Sequence, residues 1–286
     1  MTPDLLADIV TRKRAEIAQA KARVGLATVR AAAESQPPPR DFVGALVSTA
    51  RPVSVIAEVK RKSPSAGWLR PEWSRDSFSP EFIAGRYEAN GATAISCLTD
   101  GEGFAGELGY IPRVRSTVAI PVMRKDFLVD LYQVYEARAA GADAVLLIAE
   151  CLESRQMREL HEASRALGMG VILESHDEAN FDRTLELAGV DSGTLVGVNN
   201  RDLRTMTVDL EHTVRLASRV PDPSRVVGES GIGMPADLER LAKVGVRIVL
   251  VGERLMRHED PGAALAALLG IRFAGCGAAG NAATNG

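Results

Sequence analysis

Val53-Ser54-Val55-Ile56-Ala57-Glu58-Val59-Lys60-Arg61-Lys62-Ser63-Pro64-Ser65-Ala66-Gly67 opens the repeating part of this 286-residue chain. It begins as a run of β-branched and small residues, the composition of a strand buried on both faces. The same run then carries a carboxylate at Glu58 and an ammonium at Lys60 before giving way to a Ser/Pro/Gly loop. Side chains two apart on a strand point to the same side, so these two charges share a face at the C-terminal end. Opposite charges at the mouth of a buried strand are costly unless paired. Such a pair marks either a structural ion pair or a site.

Towards the C-terminus the pattern recurs. Apolar runs at Thr93–Cys97, Pro121–Met123, Ala144–Ile148, Gly170–Leu173, Thr194–Val198, Arg225–Val227 and Arg247–Val251 join Val53–Val59 as predicted strands. Helical stretches lie between them, among them Leu131–Ala140, Ser154–Leu167, Glu178–Leu187, Leu210–Ser218 and Ala236–Lys243. Gly141, Gly168 and Gly245 stand where helices stop. Eight strand–helix pairs in an α/β chain predict a closed (β/α)8 TIM barrel, a fold that uses about 250 residues as one domain. A doubly wound open sheet is the alternative, and eight regular units disfavour it.

Upstream, Leu5, Leu6, Ile9, Val10 and Ile17 give an amphipathic helix from Asp4 to about Lys21. Pro37-Pro38-Pro39 separates it from a second short helix over Asp41–Leu46. This N-terminal helical extension, about residues 1–50, completes a single domain over 1–272 and must pack against the barrel's outside or over its mouth. Residues 273–286, rich in Gly, Ala and Asn, are expected to form a disordered tail.

Composition removes several classes of function. A net charge of −3 gives no basic excess for nucleic acid or acidic membranes. No run approaches the ~18 consecutive apolar residues of a membrane span, and Met1-Thr2-Pro3-Asp4 does not begin a secretory signal. Cys97, Cys151 and Cys276 are too scattered for a disulfide framework. His161-Glu162 starts like a zinc-protease motif, but position 165 is Arg, and no Cys/His pair has metal spacing. Gly101-Glu102-Gly103-Phe104-Ala105-Gly106 has the letters of a dinucleotide fingerprint without its closely coupled strand and acidic residue. The expectation is a cytoplasmic enzyme with no metal and no cofactor.

Active sites of such barrels lie at the C-terminal strand ends. These ends deliver Glu58 and Lys60, then Arg124-Lys125-Asp126-Phe127, Glu174, Asn199-Asn200-Arg201-Asp202, Glu229-Ser230-Gly231 and Gly252-Glu253. Gly231-Ile232-Gly233 and Gly252-Glu253 offer bare backbone N–H groups of the kind that cradle phosphate. Arg201 and Ser63 can complete that cradle. Lys60, Lys125, Glu58, Glu174 and Glu229 are proton-transfer groups. A lysine in a crowded cationic mouth is expected to have its pKa lowered towards neutrality and to act as a general acid, with a glutamate opposite it as base.

The segments Ile56–Ser65, Leu98-Thr99-Asp100, Arg124–Phe127, Gly197–Leu203 and Glu229–Ile232, in this order between about Leu5 and Leu269, resemble the indole-3-glycerol phosphate synthase family. The first segment is highly specific; Asn199–Leu203 and Glu229–Ile232 are strong in company. The resemblance implies a cofactor-free step of tryptophan biosynthesis. Its substrate would be the anthranilate-derived 1-(2-carboxyphenylamino)-1-deoxyribulose 5-phosphate, and its products indole-3-glycerol phosphate, carbon dioxide and water. It implies Lys125 as general acid, Glu174 as general base, and Lys60 as the partner of the substrate carboxylate with a share in the acid role. Glu58, Asn199 and Glu229 would orient these groups and bind sugar hydroxyls. Ser63, Arg201, Gly231 and Gly252, with Ser230 and Glu253 beside them, would form the phosphate site, and the extension would cover the mouth. A monomer or weak homo-oligomer is expected.

Two residues depart from the family pattern: Ser175 replaces a branched apolar residue, and Trp68 follows Gly67 in the first loop. The competing enzyme class is another phosphosugar barrel, such as a Schiff-base aldolase with Lys125 or Lys60 as nucleophile. A phosphate-ligand sensor without chemistry is the non-enzyme alternative, and intact Lys125 and Glu174 speak against it.

Overall fold

The computed structural model describes residues 5–49, 51–74, 77–189, 191–202 and 205–271. Eight strands, β1 (Ser54–Val59), β2 (Ala94–Leu98), β3 (Val122–Lys125), β4 (Ala144–Ile148), β5 (Gly170–Ser175), β6 (Thr194–Asn199), β7 (Val226–Glu229) and β8 (Ile248–Val251), pair in parallel and close into one barrel. The order runs β1-β8-β7-β6-β5-β4-β3-β2, so chain neighbours are also ladder neighbours.

Each apolar run resolves into two alternating sets, as the two-residue period of a strand requires. Ile56, Ala94, Met123, Leu146, Ile172, Leu195, Val227 and Ile248 fill the barrel interior. Val55, Ala57, Ile95, Val145, Leu147, Val171, Leu173 and Val249 instead join the larger apolar cluster shared with the surrounding helices. Five strands run further than their apolar runs predict: β2 to Leu98, β3 to Lys125, β5 to Ser175, β6 to Asn199 and β7 to Glu229, so Lys125, Glu174, Asn199 and Glu229 belong to the ladder rather than to loops.

The outer helices are α4 (Pro80–Ala89), α5 (Tyr110–Thr117), α6 (Leu131–Ala139), α7 (Ser154–Ala166), α8 (Glu178–Ala188), α9 (Glu211–Ala217), α10 (Pro235–Lys243), α11 (Glu253–Met256) and α12 (Pro261–Leu268). Ser79, Asp130, Asp177 and Asp260 cap four of them by accepting backbone N–H bonds. Gly141, Gly168 and Gly245 take positive φ at the helix ends, where a Cβ is penalised.

The extension holds three helices, one more than its sequence pattern suggests: α1 (Leu5–Arg23), α2 (Leu26–Glu34) and α3 (Phe42–Val47). Only α1 reaches the mouth, where Ile9 packs in one cluster with Phe127 and Ile148. α2 lies along α6 on the flank. α3 closes the opposite end: Ser54 Oγ donates to the Leu46 carbonyl at 2.6 Å. A Cβ on Gly170, the first residue of β5, would stand 3.1 Å from Phe42. The predicted tail at 273–286 lies outside the described residues.

Candidate active site

Parallel pairing brings the strand ends to one level. Glu174 is in register with Ile148 and Gly197, and Glu229 with Asn199 and Leu250. The ring of strand ends opens into a cavity of about 400 Å3, within the size range of small-ligand sites. All twelve residues singled out from the sequence line it: Glu58, Lys60, Ser63, Lys125, Glu174, Asn199, Arg201, Glu229, Ser230, Gly231, Gly252 and Glu253.

At its floor the Lys125 ammonium donates to Glu174 Oε2 at 3.1 Å and to Glu229 Oε2 at 3.0 Å. Lys60 Nζ meets Glu58 Oε1 at 2.6 Å. Asn199 Nδ2 donates to the other oxygen of Glu174 at 2.8 Å, while its Oδ1 accepts the Arg201 backbone N–H at 3.0 Å. The amide of Asn199 thus fixes both the plane of Glu174 and the course of the chain into the next loop.

Two ammonium groups face three buried carboxyls, and this imbalance decides the protonation pattern. Burial opposes the charge of Lys125, but the carboxylates of Glu174, Glu229 and Glu58 outweigh it and raise the lysine pKa. The expectation of a lysine lowered towards neutrality is therefore corrected: Lys125 stands among carboxyls, not among cations. The cost falls on Glu229. Its burial and the neighbouring Glu174 push its carboxyl up to about 8, against the pull of Lys125. Glu229 Oε1 has no hydrogen-bond partner among the described residues.

The two ends of the cavity differ. Its apolar wall comes from Leu6 and Ile9 on α1, with Pro64, Leu98, Phe104 and Phe127. The opposite arc is built from β7 and β8. Ser230 and Gly231 there have φ of 65° and 75°, a left-handed pair that turns the backbone sharply after Glu229. Asn200 holds this turn, donating from Nδ2 to the Ser230 carbonyl at 3.1 Å. Arg201 Nη2 lies 3.8 Å from Glu253 Oε2, and Arg257 also pairs with Glu253 at 2.9 Å. Arg254 and Arg257 line this arc as well. Sequence reasoning missed both: Arg254 and Arg257 stand three and six residues past the end of β8, beyond the Gly252-Glu253 pair read at the strand end.

Gly252 plays a second part. A Cβ there would stand 2.3 Å from Glu58 Oε1, so the missing side chain makes room for the glutamate. Gly197 does the same for Glu229, whose Oε1 would lie 2.7 Å from an added Cβ.

Ser63 Oγ accepts the Ala66 N–H at 3.2 Å and shapes the first loop, in which residues 62–63 pair with 67–68 as a hairpin. Trp68 packs against the Arg61 guanidinium, 5.1 Å from its ring centroid. The Ser175 hydroxyl is buried without a hydrogen-bond partner among the described residues, in keeping with a position that suits an apolar side chain. Gly106 belongs to a tight turn, where an added Cβ would come within 2.3 Å of the Leu98 carbonyl oxygen. His161 is buried against Thr194 at 2.8 Å. Among the described residues no group of three His, Cys, Asp or Glu could hold a metal ion, and no helix is long and apolar enough to cross a membrane.

A closed parallel barrel with ionisable side chains gathered round a cavity at its C-terminal mouth has the architecture of the (β/α)8 enzymes. Within that class, the family model described as indole-3-glycerol phosphate synthase matches residues 6–268. The chain is 49% identical over 271 residues to the indole-3-glycerol phosphate synthase of Polaromonas sp., covering 94% of this chain and 99% of that protein. It is 48% identical over 265 residues to the one from Rhodopirellula baltica, covering 93% and 98%. The chain belongs to the indole-3-glycerol phosphate synthase family. Among solved structures, a 3-hexulose-6-phosphate synthase superposes with a TM-score of 0.59 at 17% identity, over 76% of this chain and 99% of the other; this likeness concerns the fold alone.

Proposed function

We infer that the chain converts 1-(2-carboxyphenylamino)-1-deoxyribulose 5-phosphate into indole-3-glycerol phosphate, carbon dioxide and water, a step of tryptophan biosynthesis in the cytoplasm. The observation that carries the residue roles is the Lys125 ammonium held between two carboxyls at the floor of a cavity with one apolar and one basic end.

In this reading the aromatic ring lies against Phe104, Phe127 and Ile9, and the phosphate lies at Gly231, Gly252 and Arg201. The ketone between them then falls above Lys125. The ring carbon that bears the carboxylate bonds to the ketone carbon, and the ketone oxygen takes the Lys125 proton. Carbon dioxide leaves with its bonding electrons returned to the ring, so no electron-sink cofactor is needed. The hydroxyl then departs as water, with a proton from an acid, while Glu174 takes a proton from the adjacent carbon. Glu229, protonated up to about pH 8 and 3.0 Å from Lys125 Nζ, can reload the lysine. Lys60, paired with Glu58, supplies a second ammonium for the substrate carboxylate.

A Schiff-base aldolase needs a neutral amine as nucleophile, and the carboxylates around Lys125 keep its proton on. Indole fluorescence on addition of the carboxyphenylamino ribulose phosphate tests the proposal. No fluorescence, together with borohydride trapping of substrate on Lys125 or Lys60, would favour the aldolase.

A further inference from the structure

Lys13, on α1, is only 4% exposed, although lysine is almost never fully buried unless paired. Its ammonium meets Asp100 Oδ1 at 2.7 Å, Asp126 Oδ1 at 3.0 Å and Glu16 Oε2 at 2.8 Å. The two aspartates come from different strand ends, just after β2 and β3. Lys13 itself does not line the cavity.

Each aspartate controls a piece of the apolar wall. Asp100 Oδ2 accepts the Gly103 N–H at 3.0 Å, which fixes the turn that presents Phe104. Asp126 Oδ1 accepts the Phe127 N–H at 2.8 Å, and its Oδ2 accepts from Thr99 Oγ1 at 2.6 Å and Arg124 Nη2 at 3.0 Å. Phe104 and Phe127 then face each other with ring centroids 6.3 Å apart. On α1, Ile9 and Leu6 precede Lys13 by four and seven residues, a spacing that shares one helix face. One ammonium therefore joins the three segments that supply Leu6 and Ile9, Phe104, and Phe127.

We propose that Lys13 is a positioning residue that assembles the apolar wall of the cavity from α1 and the loops after β2 and β3, and so sets affinity for the aromatic end of the substrate. The proposal rests on reading the cavity as an indole-3-glycerol phosphate synthase site, and it adds a residue that touches neither substrate nor the Lys125 cluster. Burial opposes the charge of Lys13, and Asp126 and Asp100 hold its proton on. Burial likewise opposes the charge of Asp126, which Arg124 and Lys13 pull down to about 2. Without Lys13, Asp126 would keep Arg124, which also pairs with Glu136, and the buried Asp100 would lose the ammonium that balances it where α1 meets the loops. A stranded buried charge opens such an interface or draws in water.

The test uses Lys13→Met and Lys13→Met/Asp100→Asn in the full chain. Substrate turnover, 2-aminobenzoate binding, inhibition by inorganic phosphate and Tm are all measured. Lys13→Met should raise KM and the Kd for 2-aminobenzoate at least ~10-fold while kcat falls by a smaller factor and the phosphate inhibition constant stays within about twofold. Asp100→Asn removes the stranded charge and should restore much of the lost Tm, but it does not refasten α1, so the Kd for 2-aminobenzoate should stay high. Three results would overturn the proposal: an unchanged Kd in the single variant, a Kd that recovers together with Tm in the double variant, or phosphate affinity that falls in step with 2-aminobenzoate affinity. Failure of the functional reading looks different. Wild type would then make no indole product, while the 2-aminobenzoate and phosphate measurements would still decide the role of Lys13.

Discussion

Glu229→Gln should make this protein more stable and less active, and the size of the first effect follows from the proton that the fold keeps on Glu229. A free glutamate titrates near 4.5, whereas Glu229 in its buried, carboxyl-crowded position titrates at about 8. Between these values the folded chain binds a proton that the unfolded chain releases, so stability falls as pH rises through this window. At pH 7 the accumulated penalty is roughly 3 kcal/mol, at about 1.4 kcal/mol per pH unit across the gap. Glutamine has no proton to release and escapes the penalty. Its amide oxygen can still accept from Lys125, and its NH2 group would stand where Glu229 Oε1 already has no partner, so local hydrogen bonding is closely matched. For a chain of this size about 3 kcal/mol corresponds to roughly 4–6 °C in Tm. Thermal melts of both proteins from pH 5 to 9 should therefore diverge as pH rises and converge towards pH 5. Turnover should fall ~10–100-fold with the loss of a proton-transfer group. Parallel Tm profiles over that range would show that Glu229 does not carry the raised proton.

The remaining predictions concern the acid, the anion end and the lid. Lys125→Met should lower kcat at least ~100-fold while phosphate still inhibits as in wild type; near-normal turnover would remove Lys125 from the mechanism. Arg201→Ala should chiefly raise KM, with some loss of turnover because remote binding energy helps position the reacting end; a phosphate-free analogue should bind both proteins about equally. Gly231→Ala combines a positive φ of 75° with a Cβ 2.6 Å from Val208, and should lower Tm by a few degrees, roughly 2–4 °C, and raise KM. Gly109→Ala, away from the cavity with a φ of −61° and nothing within 4 Å of the new Cβ, serves as the control. Deleting α1 alone, up to residue 24, should leave a folded barrel with impaired binding of the aromatic end; unchanged inhibitor affinity would end the lid idea. A cut at Arg40 is a poorer test. It would also remove α2, and it would disturb Arg40, whose guanidinium donates to the Ile120 and Arg115 carbonyls and whose backbone N–H donates to Asp143.

The barrel could be read from the sequence because the signals that specify it are local. An apolar run, a helical period and a glycine stop are each complete within about fifteen residues, and eight repeats leave few ways to close. That the twelve candidate residues would line one cavity was readable for the same reason: each stands at or just after the C-terminal end of a strand, and strand direction alone sends it to the mouth. What those residues are to one another was not readable. Lys125 lies 49 residues from Glu174 and 104 from Glu229, and only closure of the ladder brings the three within a hydrogen bond. The sequence therefore suggested a lysine made acidic by neighbouring cations, and the fold surrounds it with carboxylates instead. Gly252 read as bare backbone, yet its empty side is filled by Glu58 from the neighbouring strand. Lys13 looked like one more charge on an amphipathic helix until two aspartates from separate loops met it beneath the surface. Strands and helices follow from the order of side chains along the chain. Protonation, clearance and pairing depend on distance and desolvation, which fall off through space and take no account of separation in sequence.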